Sequence, residues 1–521
     1  MSFFNMTSIV KNNSKKSQSW IDARWFYRLL EVIPGTLSWS TLLLPIILSI
    51  WWPQFVALWV ILFDLYWLFK GFEVGYRLVA GYIRIRRDEK VDYFAKLKRL
   101  KPADIPGDAL AWQDVYHVVL LPSYNEEVEI IRPSIESYIS AKYPKDKIIV
   151  VLALEERAGE ELNKRGDILR QQFKDKFADF LVYVHPDGVP GEIKGKSANA
   201  TYAAKNLKKY LDKKKIDYNR VIVSNFDCDT RVHPQYFANL SYKYLTTPRR
   251  TRKTYQPIPM FNNNIWDIPL LTRTVSISAS FWQIIESTRS YRMVNFSSQA
   301  MSMQTLVEID YWDVTIVSED SRQYYRALFH YDGDHEVIPM YTPVYMDAVL
   351  SDGFWRTMRA QYLQMRRWAW GVEHFPYMVR ESLRDTKISW WKKLVEIWRI
   401  IDGHFSWATA SIFILTAAWF PFLLNTRFAE SPLSYYLPFW ASRLLTFAMF
   451  GLFISMVVSL LMLPPKPPKY GRWSFVEMAY MWALVIVNAS LFGSFPALES
   501  QTRMMFGWYL GFWVTEKKVK R

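Results

Sequence analysis

Two aspartates separated by one residue, Asp227 and Asp229, close the apolar run Val221-Ile222-Val223-Ser224-Asn225-Phe226. The run has the make-up of a buried strand, and along a strand positions i and i+2 face the same way. If the extended geometry persists, both carboxylates converge on one spot beyond the strand end. Two hard oxygen ligands that leave open coordination positions suit Mg²⁺ or Mn²⁺ carrying a diphosphate. The plain alternative is an Asp-rich turn that merely ends a strand. Farther on, Val314 to Val317 leads into Ser318-Glu319-Asp320 and a helical stretch from Ser321. Asp320 there reads either as the helix N-cap or as a general base facing the metal site. Within the aromatic, Arg-rich stretch Phe354 to Met378, Gln364, Arg367 and Trp368 fall at i, i+3 and i+4, one face of a helix. Arg367 could steady a leaving diphosphate bidentately, and Trp368 could offer a flat platform to a sugar. An interfacial helix with snorkelling arginines is the alternative, and it is compatible with the first reading.

Something must position these groups, and the sequence between residues 115 and 229 supplies it. Val115 to Leu121 reads as a buried strand, Glu127 to Ala141 as a helix and Ile148 to Leu154 as another strand. Leu181 to Val184 is a weaker strand, and the helix Ser197 to Tyr210 leads to the strand at Val221. Such alternation predicts an α/β domain with a mostly parallel sheet, whose ligands bind beyond the carboxyl ends of the strands. Pro122-Ser123-Tyr124-Asn125-Glu126, Glu155 and the Asp227 turn all sit at such ends. Free backbone N–H groups near Pro122, Tyr124 and Glu126 could meet a nucleotide, or the segment could be a well-capped turn. Glu155 could bind a base or ribose, or be solvated surface. Lys196 could neutralise phosphate and Asn199 orient it, although Lys194-Gly195-Lys196 by itself is usually solvated loop.

The whole chain has 521 residues, too long for one ordinary domain, with Lys+Arg 65 against Asp+Glu 49, a net charge of +16, and 24 Trp. No basic-aromatic module for nucleic acid stands out, and positive flanks beside apolar spans explain the charge more economically. A single cysteine, Cys228, rules out an intrachain disulfide framework and is compatible with a reducing compartment. Leu37 to Trp52 and Phe55 to Phe69 read as a tight membrane hairpin, each arm slightly short of the roughly 20 residues a bilayer requires. Basic residues flank it on both sides, which puts the following body in the cytoplasm. Phe405 to Leu424, Leu444 to Leu463 and Phe475 to Phe495 are three further spans. Three crossings would leave the basic end outside, against its charge. The last span, interrupted by Gly493 and Pro496, is the candidate for a re-entrant segment.

The ordered set Pro122-Ser123-Tyr124-Asn125-Glu126, Asp227-Cys228-Asp229, Ser318-Glu319-Asp320 and Gln364-Met365-Arg366-Arg367-Trp368 resembles the membrane-integrated family-2 glycosyltransferases, which include cellulose, chitin and hyaluronan synthases. The resemblance implies a GT-A-type, Rossmann-like cytoplasmic domain inserted between transmembrane and interfacial helices, in a plasma or inner membrane. It implies an inverting transfer from a nucleotide-sugar donor, typically UDP-linked, with a divalent metal. It assigns Asp227 and Asp229 to donor and metal, Asp320 to general base, and Gln364, Arg367 and Trp368 to diphosphate and acceptor. The acceptor would be a growing polysaccharide, or alternatively a lipid, as in ceramide glucosyltransferases. Phe512-Trp513-Val514-Thr515-Glu516-Lys517 resembles the gating loop of cellulose synthases, with Phe512, Val514, Thr515 and Lys517 as its residues. Two departures stand out: Glu155 or Glu156 replaces the family's first aspartate, and Phe296-Ser297-Ser298-Gln299-Ala300 stands where a Cys-Gly turn is usual. The expected domains are a basic segment 1–36, a hairpin 37–90, the catalytic domain 91–350, interfacial helices 351–402, transmembrane helices 403–499 and a tail 500–521.

Overall fold

The computed structural model describes residues 20–108, 110–471, 473–511 and 513. Its strands are β1 Tyr116–Pro122, β2 Ile148–Glu155, β3 Asp179–His185, β4 Val221–Asn225, β5 Arg231–Val232, β6 Lys253–Met260, β7 Ala300–Ser302 and β8 Glu336–Tyr345. They form one eight-stranded sheet in the order β3-β2-β1-β4-β7-β6-β8-β5. The half from β3 to β4 is parallel, as its strand–helix alternation predicts. The other half is mixed: β7 runs antiparallel to β4 and β6, β6 and β8 are parallel, and β5 is antiparallel to β8.

Alternation along β1 shows how the sequence builds the layers. Val118 and Leu120 join Ala200, Ala203, Ala204 and Leu207 of the helix Lys196–Lys214 on one face. Val119 and Leu121 join Ile131, Ile135, Tyr138 and Phe237 on the other. Both faces are covered, so the strands read as near-continuous apolar runs. The alanines let the Lys196 helix lie close to the sheet, and its first turn opens at the carboxyl ends of β1 and β2.

Five helices among the described residues are long and apolar enough to cross a membrane. Arg24–Trp51 and Pro53–Asp88 cover the two arms read from the sequence, with Trp52 between them. They run past the apolar stretches, so neither is short. Leu78 and Ile85 of the second helix are buried with Ile258, Trp266 and Ile284 of the body. That helix also packs along Pro432–Met462, where a Cβ on Gly451 would lie 2.5 Å from the carbonyl oxygen of Gly71. Only a residue without a side chain fits there.

The fifth candidate, Val476–Phe506, is broken by a π-helical turn at Ala489–Ser494 and by Pro496. Its start lies on the body: Glu477 pairs with Arg273 at 3.5 Å, and Trp482 stacks on Phe281 at 5.9 Å. It then follows the helix Trp390–Thr416 backwards. Ser490 bonds Ser411 at 3.0 Å, Ser494 donates to the Trp407 carbonyl at 2.8 Å, and Gln501 to the His404 carbonyl at 2.9 Å. Its end meets the helix Phe354–Ala369 through Glu499 and Arg366 at 2.7 Å. Both ends of the segment therefore pack against other parts of the body, the start on Arg273 and Phe281 and the end on Arg366.

Candidate active site

β4 stops at Asn225, and the Thr230 amide donates to the Asp227 carbonyl at 2.9 Å, so the Asp-Cys-Asp triplet is a turn. The extended spacing expected to aim both carboxylates one way does not persist. Asp227 is 29% exposed and pairs with the Lys196 ammonium at 2.8 Å. Asp229 is 1% exposed, and its Oδ2 accepts the Asp347 amide at 2.7 Å. Between them the Cys228 thiol donates to the Pro122 carbonyl at 3.0 Å, tying the turn to the end of β1. Burial pushes that thiol well above its ordinary pKa, which suits a structural cysteine.

Lys196, the first residue of its helix, is the hub. Its Nζ lies 2.8 Å from Asp227, 3.3 Å from Asp320 and 3.4 Å from the Ser297 hydroxyl. Burial works against its charge, but Asp227, Asp320 and Glu319 outweigh it and raise the ammonium's pKa. Asp320 also accepts from Gln299 Nε2 at 3.2 Å, so each of its oxygens is engaged from outside its own helix. The helix Glu319–His330 has Ser318 as its N-cap, which places Asp320 one step inside the first turn. The capping alternative therefore falls away. Glu319, which the sequence reading passed over, is 3% exposed. Burial raises its carboxyl pKa and neighbouring Asp320 adds to the rise, with Lys196 and Arg367 pulling against both. Two carboxyls side by side in different states of solvation are a familiar signature of acid–base sites.

On the donor side, the expected residues divide. Glu126 Oε2 accepts from the Ser123 hydroxyl at 2.8 Å and from the amides of Tyr124 at 2.8 Å and Asn125 at 3.2 Å. It therefore builds the turn after β1. Asn199, 1% exposed, donates to the carbonyls of Ser123 at 3.3 Å and Ala153 at 2.8 Å, stapling the ends of β1 and β2. Pro122 is the last residue of β1. Glu155 ends β2 and is paired with Arg157, whose guanidinium covers the Tyr124 ring at 4.1 Å. Glu155 and Arg157 line a cleft with His185, Asp187, Glu192 and Lys194. Arg157 carried no sequence signal, since it follows the strand in an ordinary polar turn.

The helix Phe354–Ala369 carries Gln364, Arg367 and Trp368, and the charge of Arg367 is felt at Glu319. Gln364 is buried and accepts from Gln361 Nε2 at 3.1 Å. Trp368 packs against Phe261, just past β6, with ring centroids 6.0 Å apart. Arg366 faces the other way, to Glu499. The tail residues Phe512, Val514, Thr515 and Lys517 lie outside the described residues. Tyr509 stands edge-on to Trp370 at 6.4 Å, and Leu510 packs with Val317, Trp370, Val372 and Met504.

No group of three or more His, Cys, Asp or Glu side chains gathers as a metal site among the described residues. A Mg²⁺ or Mn²⁺ that arrives with a diphosphate needs only one or two protein carboxylates. Part-exposed Asp227, with Asp229 in the same turn, fits that smaller demand.

No protein-family model and no curated protein matches the chain. Among solved structures, a Pyrobaculum calidifontis mannosyltransferase in complex with GDP-Man and Mn²⁺ is 16% identical, covering 80% of this chain and 97% of its own, with a TM-score of 0.38. S. aureus TarS 1–349 in complex with UDP-GlcNAc is 12% identical, with 75% and 92% covered and a TM-score of 0.34. S. aureus TarS is 14% identical, with 65% and 55% covered and a TM-score of 0.32. Likeness this loose assigns no family, and the α/β architecture rests on the strand order and register above.

Proposed function

We propose that the chain is a membrane-embedded, inverting glycosyltransferase with a GT-A-type cytoplasmic domain, moving sugar from a nucleotide-sugar donor, UDP-linked, to the end of a growing polysaccharide. The observation that carries this reading is the meeting of Lys196, Asp227 and Asp320 at the carboxyl ends of parallel strands. Such an edge is where α/β sheets bind nucleotides. Arg367 of the Gln-x-x-Arg-Trp helix acts on the same site, lowering the pKa of Glu319 beside Asp320.

The acceptor hydroxyl gives its proton to the Asp320 carboxylate as its oxygen attacks the anomeric carbon. The bond from that carbon to the diphosphate breaks, and the electron pair leaves with the diphosphate. Lys196 and Arg367 hold fixed positive charge where this negative charge develops. Gln299 keeps Asp320 oriented through the 3.2 Å bond to its Oδ1. Asp227 and Asp229 would hold a divalent cation, which would supply further charge neutralisation on the diphosphate. Trp368 offers the acceptor sugar a ring, held in place by Phe261.

The test is a donor screen on purified protein in detergent, with products sized. Consumption of one nucleotide sugar with formation of a polymer supports the reading. A singly glycosylated lipid as the sole product would replace the polymer by a lipid acceptor, and no transfer from any donor would end the glycosyltransferase reading.

A further inference from the structure

The turn Trp370–Glu373 and the helix His374–Arg384 follow directly on Arg367 and Trp368, yet their polar side chains reach back to the helix that carries Asp320. Glu373 Oε1 accepts both the amide of Ser318, at 3.2 Å, and the Ser318 hydroxyl. Its other oxygen accepts the Trp370 indole N–H at 2.9 Å. One residue on, His374 Nε2 lies 2.6 Å from the Ser321 hydroxyl, and its Nδ1 accepts from Arg322 Nε at 3.2 Å. Because Nδ1 is an acceptor, the proton sits on Nε2 and is donated to Ser321. Burial first, then Arg322 and His404, hold the ring well below its ordinary pKa, so it stays neutral.

The first turn of a helix has N–H groups with no partner inside the helix, normally met by its own N-cap side chain. Here Ser318 makes no such bond to its own helix. Instead a carboxylate from a different segment holds the N-cap residue itself, through its amide and hydroxyl, so that of the two serines flanking Glu319 and Asp320, Ser318 is tied to Glu373 and Ser321 to His374. Arg367 lies six residues before Glu373 along the chain. The span between the two sides of the site is thus set by this bracket.

We propose that Glu373 is a positioning residue for sugar transfer, holding Asp320 at its working distance from Arg367. The inference rests on the glycosyltransferase reading and deepens it. It also gives the carboxyl-terminal segment a route to the site, because Tyr509 and Leu510 press on Trp370, which is bonded to Glu373.

The test compares Glu373→Ala, Glu373→Gln and Ser318→Ala with wild type, reading kcat and KM for the donor and calorimetric binding of the nucleoside diphosphate. Misplacement near 1 Å costs on the order of 100-fold, so Glu373→Ala should lose about 10- to 100-fold in kcat. Donor KM and nucleoside diphosphate binding should stay within about twofold. Gln keeps one acceptor oxygen for Ser318 and should restore most of kcat, whereas Ser318→Ala should resemble the Ala variant. A folded Glu373→Ala protein with wild-type kcat overturns the proposal, as does a loss confined to KM. A wild-type protein that transfers no sugar would instead overturn the reading beneath it.

Discussion

Replacing Lys196 by Met removes the one ammonium shared by Asp227 and Asp320 while keeping the length of the side chain. At an effective dielectric of about 20, Coulomb attraction amounts to about 6 kcal/mol at 2.8 Å and about 5 kcal/mol at 3.3 Å. Desolvation of the ammonium offsets several kcal/mol of this, and orphaning a buried charge typically costs about 3–5 kcal/mol net. The Asp227 and Asp320 side chains are 29% and 19% exposed, so water relieves part of the penalty and the lower end applies, about 3 kcal/mol. For a body of this size that is a fall of about 6–12 °C in Tm, read by thermal unfolding in detergent. Lys196→Arg should recover most of the stability but not all of the turnover, since a planar guanidinium cannot sit as a point charge between the two carboxylates. A Met variant with unchanged Tm and full turnover would show that Lys196 is only a loop lysine, and the site would lose its hub.

Other outcomes follow from the same geometry. Asp320→Asn should cost about 1–3 kcal/mol of stability, because Lys196 loses its partner at 3.3 Å but keeps Asp227 at 2.8 Å, while transfer collapses and nucleoside diphosphate still binds; normal turnover would refute the base assignment. Glu319 has a carboxyl raised by burial, so its share of stability is full below the ordinary carboxylate pKa and is lost as pH rises through the raised one. Glu319→Gln should therefore flatten the decline of Tm between about pH 4.5 and about 8, and an unchanged slope there would remove Glu319 from the account. Excess chelator should abolish transfer and Mg²⁺ or Mn²⁺ restore it; full activity without divalent cation would sink the roles of Asp227 and Asp229 as ligands.

The parallel half of the sheet was legible because β1, β2 and β4 are apolar runs ending in polar turns. The mixed half was not. β6, Lys-Thr-Tyr-Gln-Pro-Ile-Pro-Met, and β8 both contain two prolines, which argue against an interior strand. They are accommodated beside a register shift between Pro257 and Pro259. At the site, the sequence singled out Lys196, Asp227 and Asp320 but could not show that the Lys196 ammonium joins the two carboxylates, because the three come from separate elements. Glu126 and Asn199 illustrate the converse: polar residues at strand ends serve the backbone there, stapling carbonyls and amides. Glu319 and Glu373 were invisible for a different reason, since a buried glutamate has no spacing signature. The break in Val476–Phe506 was foreshadowed by Gly493 and Pro496, and the contacts to Ser411, Trp407 and His404 show what the broken segment packs against.

The most direct test of the central claim is a pair of titrations on purified wild type and Asp320→Asn in detergent. Each protein is given a panel of nucleotide sugars, and released nucleoside diphosphate is measured beside calorimetric binding. The account predicts that wild type consumes one donor, and that Asp320→Asn binds the same nucleoside diphosphate with similar affinity yet releases almost none. Binding of no nucleotide by either protein, or equal release by both, would contradict it.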